Sequence, residues 1–322
     1  MNGLWNSFSA LASDPNLRWI ALGCMLLGLS SGMIGCFAYL RRQSLMGDTI
    51  AHTALPGICV AFLLSGTKSL PLFMLGAVAA GIVGTLAIRI ITARSRIKPD
   101  AAMGIVLSSF FGVGIVLLTM IQHSGDGSQS GLDKFLFGQA ASMIGSDVQL
   151  MAGVSVVLAA ACTLLFKEFK LLSFDPAFAK GAGFPVSVLD FILQALFVTA
   201  VVTGIQAVGV VLVAALLITP AVSARFWTER LGRMLALSGL FGMVSGLLGA
   251  WISSQVSQLP TGPVSVLAAA ALFLVSVVFG TKRGLLTARL TRREARRRLL
   301  LHAAGAASPA AASSSTSAKE AG

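Results

Sequence analysis

The chain has 322 residues, 56% of them hydrophobic and only 11% Asp, Glu, Lys or Arg, where a soluble domain carries roughly 25% charged residues. That balance excludes a water-soluble globule, and apolar runs of about twenty residues are long enough to cross ~30 Å of hydrocarbon as helices. The net charge of +12 does not point to nucleic acid either, because the basic residues lie between apolar runs and near the C-terminus rather than on one soluble face.

In chain order the pattern predicts an all-α polytopic membrane bundle of about nine transmembrane helices, with spans near 19–40, 46–65, 71–92, 101–122, 148–166, 188–204, 207–224, 234–254 and 263–280. A short external N-terminus, 1–18, precedes a transmembrane domain at 19–281, and 282–322 reads as a basic, then Ala/Ser-rich, disordered cytoplasmic tail. No positive charge precedes Arg18 and no small-residue cleavage pattern follows the first apolar run, so that run reads as a span that stays. Between the sixth and seventh spans the chain has to turn somewhere from Gly204 to Gly209.

Orientation follows from basic residues in alternate connections. One set holds Arg41 and Arg42; Arg89, Arg94, Arg96 and Lys98; Lys167, Lys170 and Lys180; Arg225, Arg230 and Arg233; and the run from Lys282 to Arg298. The opposite set holds only Arg18, Lys68 and Lys134. The first set is therefore expected in the cytoplasm, with the N-terminus outside and the C-terminus inside. Small residues one turn apart, such as Gly28 and Gly32, Ser31 and Gly35, or Gly242 and Gly246, read as close helix packing. Cys24, Cys36, Cys59 and Cys162 sit in apolar stretches without metal-ligand spacing and read as small buried hydrophobes.

Away from the ends of these spans, the only ionisable side chains besides Cys and Tyr are Asp48 and His52. An aspartate at mid-bilayer costs roughly 2.5–3.5 kcal/mol on insertion scales, so such groups usually face the bundle interior and mark a pathway. The i, i+4 spacing stacks both on one helix face. Counting from Arg42 places them roughly 9 and 15 Å into the membrane. Pro56 has no N–H for the carbonyl of His52, so a kink and a free oxygen are expected there. Carboxylate, imidazole and carbonyl suit Mn, Zn or Fe(II) rather than Cu(I), and two chains about a two-fold axis would present two Asp and two His to one ion. The residues alone also admit an Asp–His hydrogen bond that only holds helices together, or a proton relay without metal.

No nucleotide-binding GxxxxGK[ST] is present, so energy has to come from elsewhere. In the connection from Lys167 to Val186, the segment 171–187 contains Asp175 as a helix N-cap, Pro176 as the first helical residue, and Gly181 or Gly183 as the stop. Phe174 and Phe178 on that short helix suit docking into a partner's groove; an ordinary interfacial amphipathic turn is the alternative reading. His123 and His302 read as solvated; Ser187 and Asp190 read as a capping box; Pro220 reads as a bend.

The run RRQSLMGDTIAHTALPG at 41–57 closely resembles the signature of the integral-membrane subunits of manganese, zinc and iron ABC importers. IKPDAAMGI at 97–105, FGQ at 137–139, the Asp175-Pro176 loop, LLITPA at 216–221 and LPTGP at 259–263 extend the likeness in order. The resemblance implies a fold similar to the vitamin B12 importer permeases, in a bacterial plasma membrane. It implies a cytoplasmic ABC ATPase dimer, an external metal-binding receptor and a second permease subunit, identical or paralogous. No cofactor is expected to be held permanently; a divalent metal (Mn, Zn or Fe) is the substrate. By the same likeness Asp48 and His52 line the metal pathway beside Pro56, while Asp175, Pro176, Phe178, Lys180 and Gly183 belong to the segment that receives the ATPase stroke. The unusually basic stretch Arg289 to Arg298 departs from the family pattern; it reads as a surface helix held by anionic membrane lipids and hints at a heteromeric permease pair. The competing reading is a proton-coupled secondary metal transporter that needs no ATPase.

Overall fold

The structure is a computed structural model that describes residues 15–66, 69–123, 145–255 and 259–287. Among these residues it holds eleven helices: Pro15–Leu40 (α1), Met46–Ser65 (α2), Leu70–Arg94 (α3), Pro99–His123 (α4), Gly145–Leu164 (α5), Phe166–Phe174 (α6), Pro176–Gly181 (α7), Val186–Val208 (α8), Val210–Trp227 (α9), Leu231–Gln255 (α10) and Thr261–Phe279 (α11). Eight are long and apolar enough to cross a membrane, and the shorter apolar stretch Leu212–Trp227 inside α9 stands where the seventh span was predicted. The FGQ segment at 137–139, His302 and the tail beyond 287 lie outside the described residues.

Two local readings change. The turn between α8 and α9 falls on Gly209 alone, at φ 90°, a backbone conformation that glycine adopts without a Cβ penalty. Gly204 stays helical, and its bare Cα lets α9 close in: a Cβ there would lie 2.4 Å from Cγ2 of Val213. Second, the connection after α5 contains α6, which was not predicted. Its Phe169 is fully buried and meets the ring of Phe37 edge-on at 5.5 Å.

Without a hydrophobic drive between helices in lipid, close backbone approach at small residues builds the bundle. The seam between α1 and α10 illustrates it. A Cβ on Gly28 would fall 2.1 Å from the carbonyl oxygen of Gly242, and one on Gly246 would fall 2.2 Å from that of Cys24. One turn beyond Gly28, the Ser238 hydroxyl donates to the Gly32 carbonyl. The helix α1 is the most enclosed of the spans, 78% of its apolar window being buried, whereas α4 is only 22% buried. The exposed apolar side chains of α3, α4, α5 and α11, such as Leu75, Val116, Val157 and Leu267, suit hydrocarbon. Helix α2 lies between α3 and α4. Gly57 and Gly76 touch on one side, and Gly114 of α4 fits against Leu55 and Pro56 on the other.

Candidate functional site

Both singled-out side chains come from α2 and point the same way. Asp48 lies in its first turn, at the end of the span and not away from it as the sequence suggested, and Oδ1 of Asp48 stands 3.6 Å from Nε2 of His52. Their side chains are 42% and 21% exposed, so the pair opens on the protomer surface instead of being sealed in the core. The His52 ring is held edge-on against Phe111 of α4, with centroids 5.0 Å apart and planes at 81°. Phe111 was not singled out in the sequence; nothing but contact across two helices marks it.

The 3.6 Å separation fits one shared cation. An ion ~2.1 Å from each donor atom, a usual Zn–N or Zn–O length, closes an O–metal–N angle of roughly 120°, near the tetrahedral value. Two donors do not fill a coordination sphere, and among the described residues no group of three or more His, Cys, Asp or Glu could hold a metal. One turn beyond His52, Pro56 begins an apolar groove of about 870 Å³ between α2, α3 and α4, lined also by Val60, Leu64, Leu75, Phe110 and Val113.

The second predicted feature also takes shape. The Asp175 side chain accepts from the Phe178 N–H at 2.8 Å, and Pro176 opens α7, as an N-cap followed by N1 proline requires. Of the two candidate stops Gly183 serves, at φ 85°. The Phe184 N–H reaches the carbonyl of Ala179 and the Gly183 N–H that of Lys180, the paired bonds of a Schellman motif. Ala179 turns inward, 1% exposed, while Phe174 and Phe178 stand out at 64% and 62%. Lys180 is exposed in the last turn.

The capping-box reading of Asp190 is wrong. Pro185 occupies the N-cap of α8 and no side chain caps that end. Asp190 instead pairs with Arg41 at 2.5 Å and Arg89 at 3.3 Å. A long-range ion pair leaves no local spacing for a sequence to display. His123 is exposed at the end of α4, its Nδ1 2.9 Å from the Thr119 carbonyl, in line with the reading of a solvated group.

A membrane bundle of this kind, with an Asp–His pair on one span and a capped short helix between two others, has the architecture of a multi-pass transport permease. The ABC 3 transport family matches residues 13–280, and the chain belongs to that family. It is 54% identical over 287 residues to a manganese transport system membrane protein of Bacillus subtilis, covering 88% of this chain and 66% of that protein's length. A zinc transport system membrane protein of Treponema pallidum is 48% identical, with 88% of this chain and 95% of that protein covered. Among solved structures, PsaBC of Streptococcus pneumoniae in complex with Fab superposes with a TM-score of 0.78 at 32% identity, over 89% of this chain and 99% of that one. An inward-facing metal-chelate type ABC transporter shares the fold at a TM-score of 0.63 and 18% identity, over 80% and 84% of the two chains. The chain is thus the permease component of an ABC importer, and ATP-driven import follows from the family.

Proposed function

We propose that this permease carries manganese or zinc inward, with Asp48 and His52 as the protein donors along the path. The observation behind the reading is the Asp48–His52 pair, 3.6 Å apart and open to the protomer surface, in a chain whose relatives are named for manganese and zinc transport. Iron, expected from the resemblance, appears in none of those names. A carboxylate oxygen and an imidazole nitrogen bind either ion, so coordination chemistry alone does not choose between them. A second permease subunit placing its own Asp and His opposite completes a four-donor site.

In this reading α7 is the coupling helix. Asp175, Pro176 and Gly183 fix its ends, and Phe178 and Lys180 meet a cytoplasmic ATPase dimer on the side away from Ala179. An external receptor protein delivers the metal to the opposite end of the bundle. The basic connections face the cytoplasm, which puts the N-terminus outside. Alternating access then exposes the pair first outward and then inward as ATP binds and is hydrolysed.

The test is uptake into vesicles holding the reconstituted complex of permease, ATPase and receptor. Mn²⁺ or Zn²⁺ uptake should require ATP, and Asp48→Ala and His52→Ala should each abolish it while the ATPase still co-purifies. Normal uptake in both variants removes the pathway assignment, and uptake driven by a proton gradient without the ATPase replaces the mechanism with secondary transport.

A further inference from the structure

We propose that Asp190 is a positioning residue that joins the coupling segment to the helix bearing the metal donors; the inference rests on the roles of α7, Asp48 and His52 given above. Asp190 lies one turn into α8, and Gln194 follows at i+4 on the same face. Both reach the connection that leads from α1 into α2. Asp190 Oδ1 pairs with Arg41 at 2.5 Å, and the Gln194 amide donates to the Gln43 side-chain oxygen at 3.4 Å. Between these two grips stands Arg42, the only non-glycine residue at positive φ among those described, at 56°. A conformation that L side chains rarely adopt persists only where its surroundings over-determine it, and the two grips do so. Three residues past that connection's end comes Asp48.

On its other side Asp190 is tied to α7 without a free joint. The Gly183 and Phe184 N–H groups close the end of α7, Pro185 fixes its own φ, and the Val188 and Leu189 N–H groups bond to the Pro185 carbonyl. A displacement of α7 therefore reaches Asp190, then Arg41, then the first turn of α2. The connection has room to respond. A cavity of about 280 Å³ lies against it, lined by Gln43, Met46, Arg89, Thr92, Met103 and Gln194. Arg89 of α3 supplies the second cation at 3.3 Å from Asp190, so one carboxylate holds two guanidinium groups together. Neutralising it releases both: the grip on the connection goes, and two like charges are left side by side.

The experiment measures metal delivered per ATP hydrolysed by the reconstituted complex, using Mn²⁺ or Zn²⁺, whichever the unmodified complex carries. Asp190→Asn should assemble with the ATPase and keep its basal ATP hydrolysis, yet deliver about tenfold less metal per ATP. Asp190→Glu, which keeps the charge, should restore the ratio. A merely structural pair would lower assembly or stability and leave the ratio alone, so an unchanged ratio in Asp190→Asn overturns the proposal. If Asp190→Asn does not assemble, Gln194→Leu is read the same way: a lowered ratio supports the linkage and a normal one refutes it. The metal-path reading fails on a different result, normal uptake by the Asp48 and His52 variants.

Discussion

Helix α2 can hold Asp48 and His52 in place only while α3 and α4 clasp it, and Gly57→Ala tests that clasp directly. A Cβ at 57 would lie 2.2 Å from the carbonyl oxygen of Gly76 and 2.6 Å from the Cβ of Ala80. Neither atom can rotate away, because one is backbone and the other is fixed to it. Ordinary contact begins at 3.4 Å, so α3 must retreat by about 1 Å; overpacking of this kind costs typically ~1–3 kcal/mol. For a chain of 322 residues that is roughly 1–5 °C in the thermal midpoint. The strain falls next to Pro56, and a misplacement of about 1 Å at a reactive centre can cost up to a hundredfold in rate. The assay is heat unfolding of the purified complex in detergent, compared with Gly153→Ala on α5. A Cβ at 153 meets nothing within 4 Å, and alanine gains about 1 kcal/mol of helix propensity there. Gly57→Ala should melt lower than wild type, and Gly153→Ala at or above it. Equal midpoints for the two variants would refute the idea that backbone contact at these glycines sets the position of α2.

Two further outcomes are expected. Asp175→Ala removes the cap that receives the Phe178 N–H, worth about 1 kcal/mol, and should weaken co-purification of the ATPase while leaving the permease's own thermal midpoint within a few degrees. All four cysteines are buried, so a maleimide dye should label none of them in the native complex and all of them after unfolding; rapid native labelling of any one would contradict the packing described.

The bundle and both motifs were legible because each leaves a mark along the chain. A span of apolar residues needs only length, and an acid and an imidazole at i, i+4 announce themselves by their cost in lipid. Asp175, Pro176 and Gly183 carry the backbone chemistry of a helix start and stop in their own side chains. What stayed hidden was relational. The ion pairs of Asp190 join residues far apart in sequence, and Ser187 three positions earlier supplied a plausible local partner instead. Phe111 against His52 is another contact across helices. Helices that are apolar all round offer no polar face to show which side meets a neighbour. For α6, a short amphipathic stretch of Phe, Lys and Glu looked like ordinary loop until Phe169 found Phe37.

The order of synthesis bears on the glycine seam of α1 and α10. Synthesis runs from the N-terminus, so α1 enters the bilayer long before its main partner has been made. Until α10 arrives, the groove formed by Gly28 and Gly32 faces lipid, open to any other small-residue helix nearby. The nascent protein therefore has its most enclosed span waiting longest for company, and a chain cut short before α10 would display that unfilled groove to the machinery that clears unfinished membrane proteins.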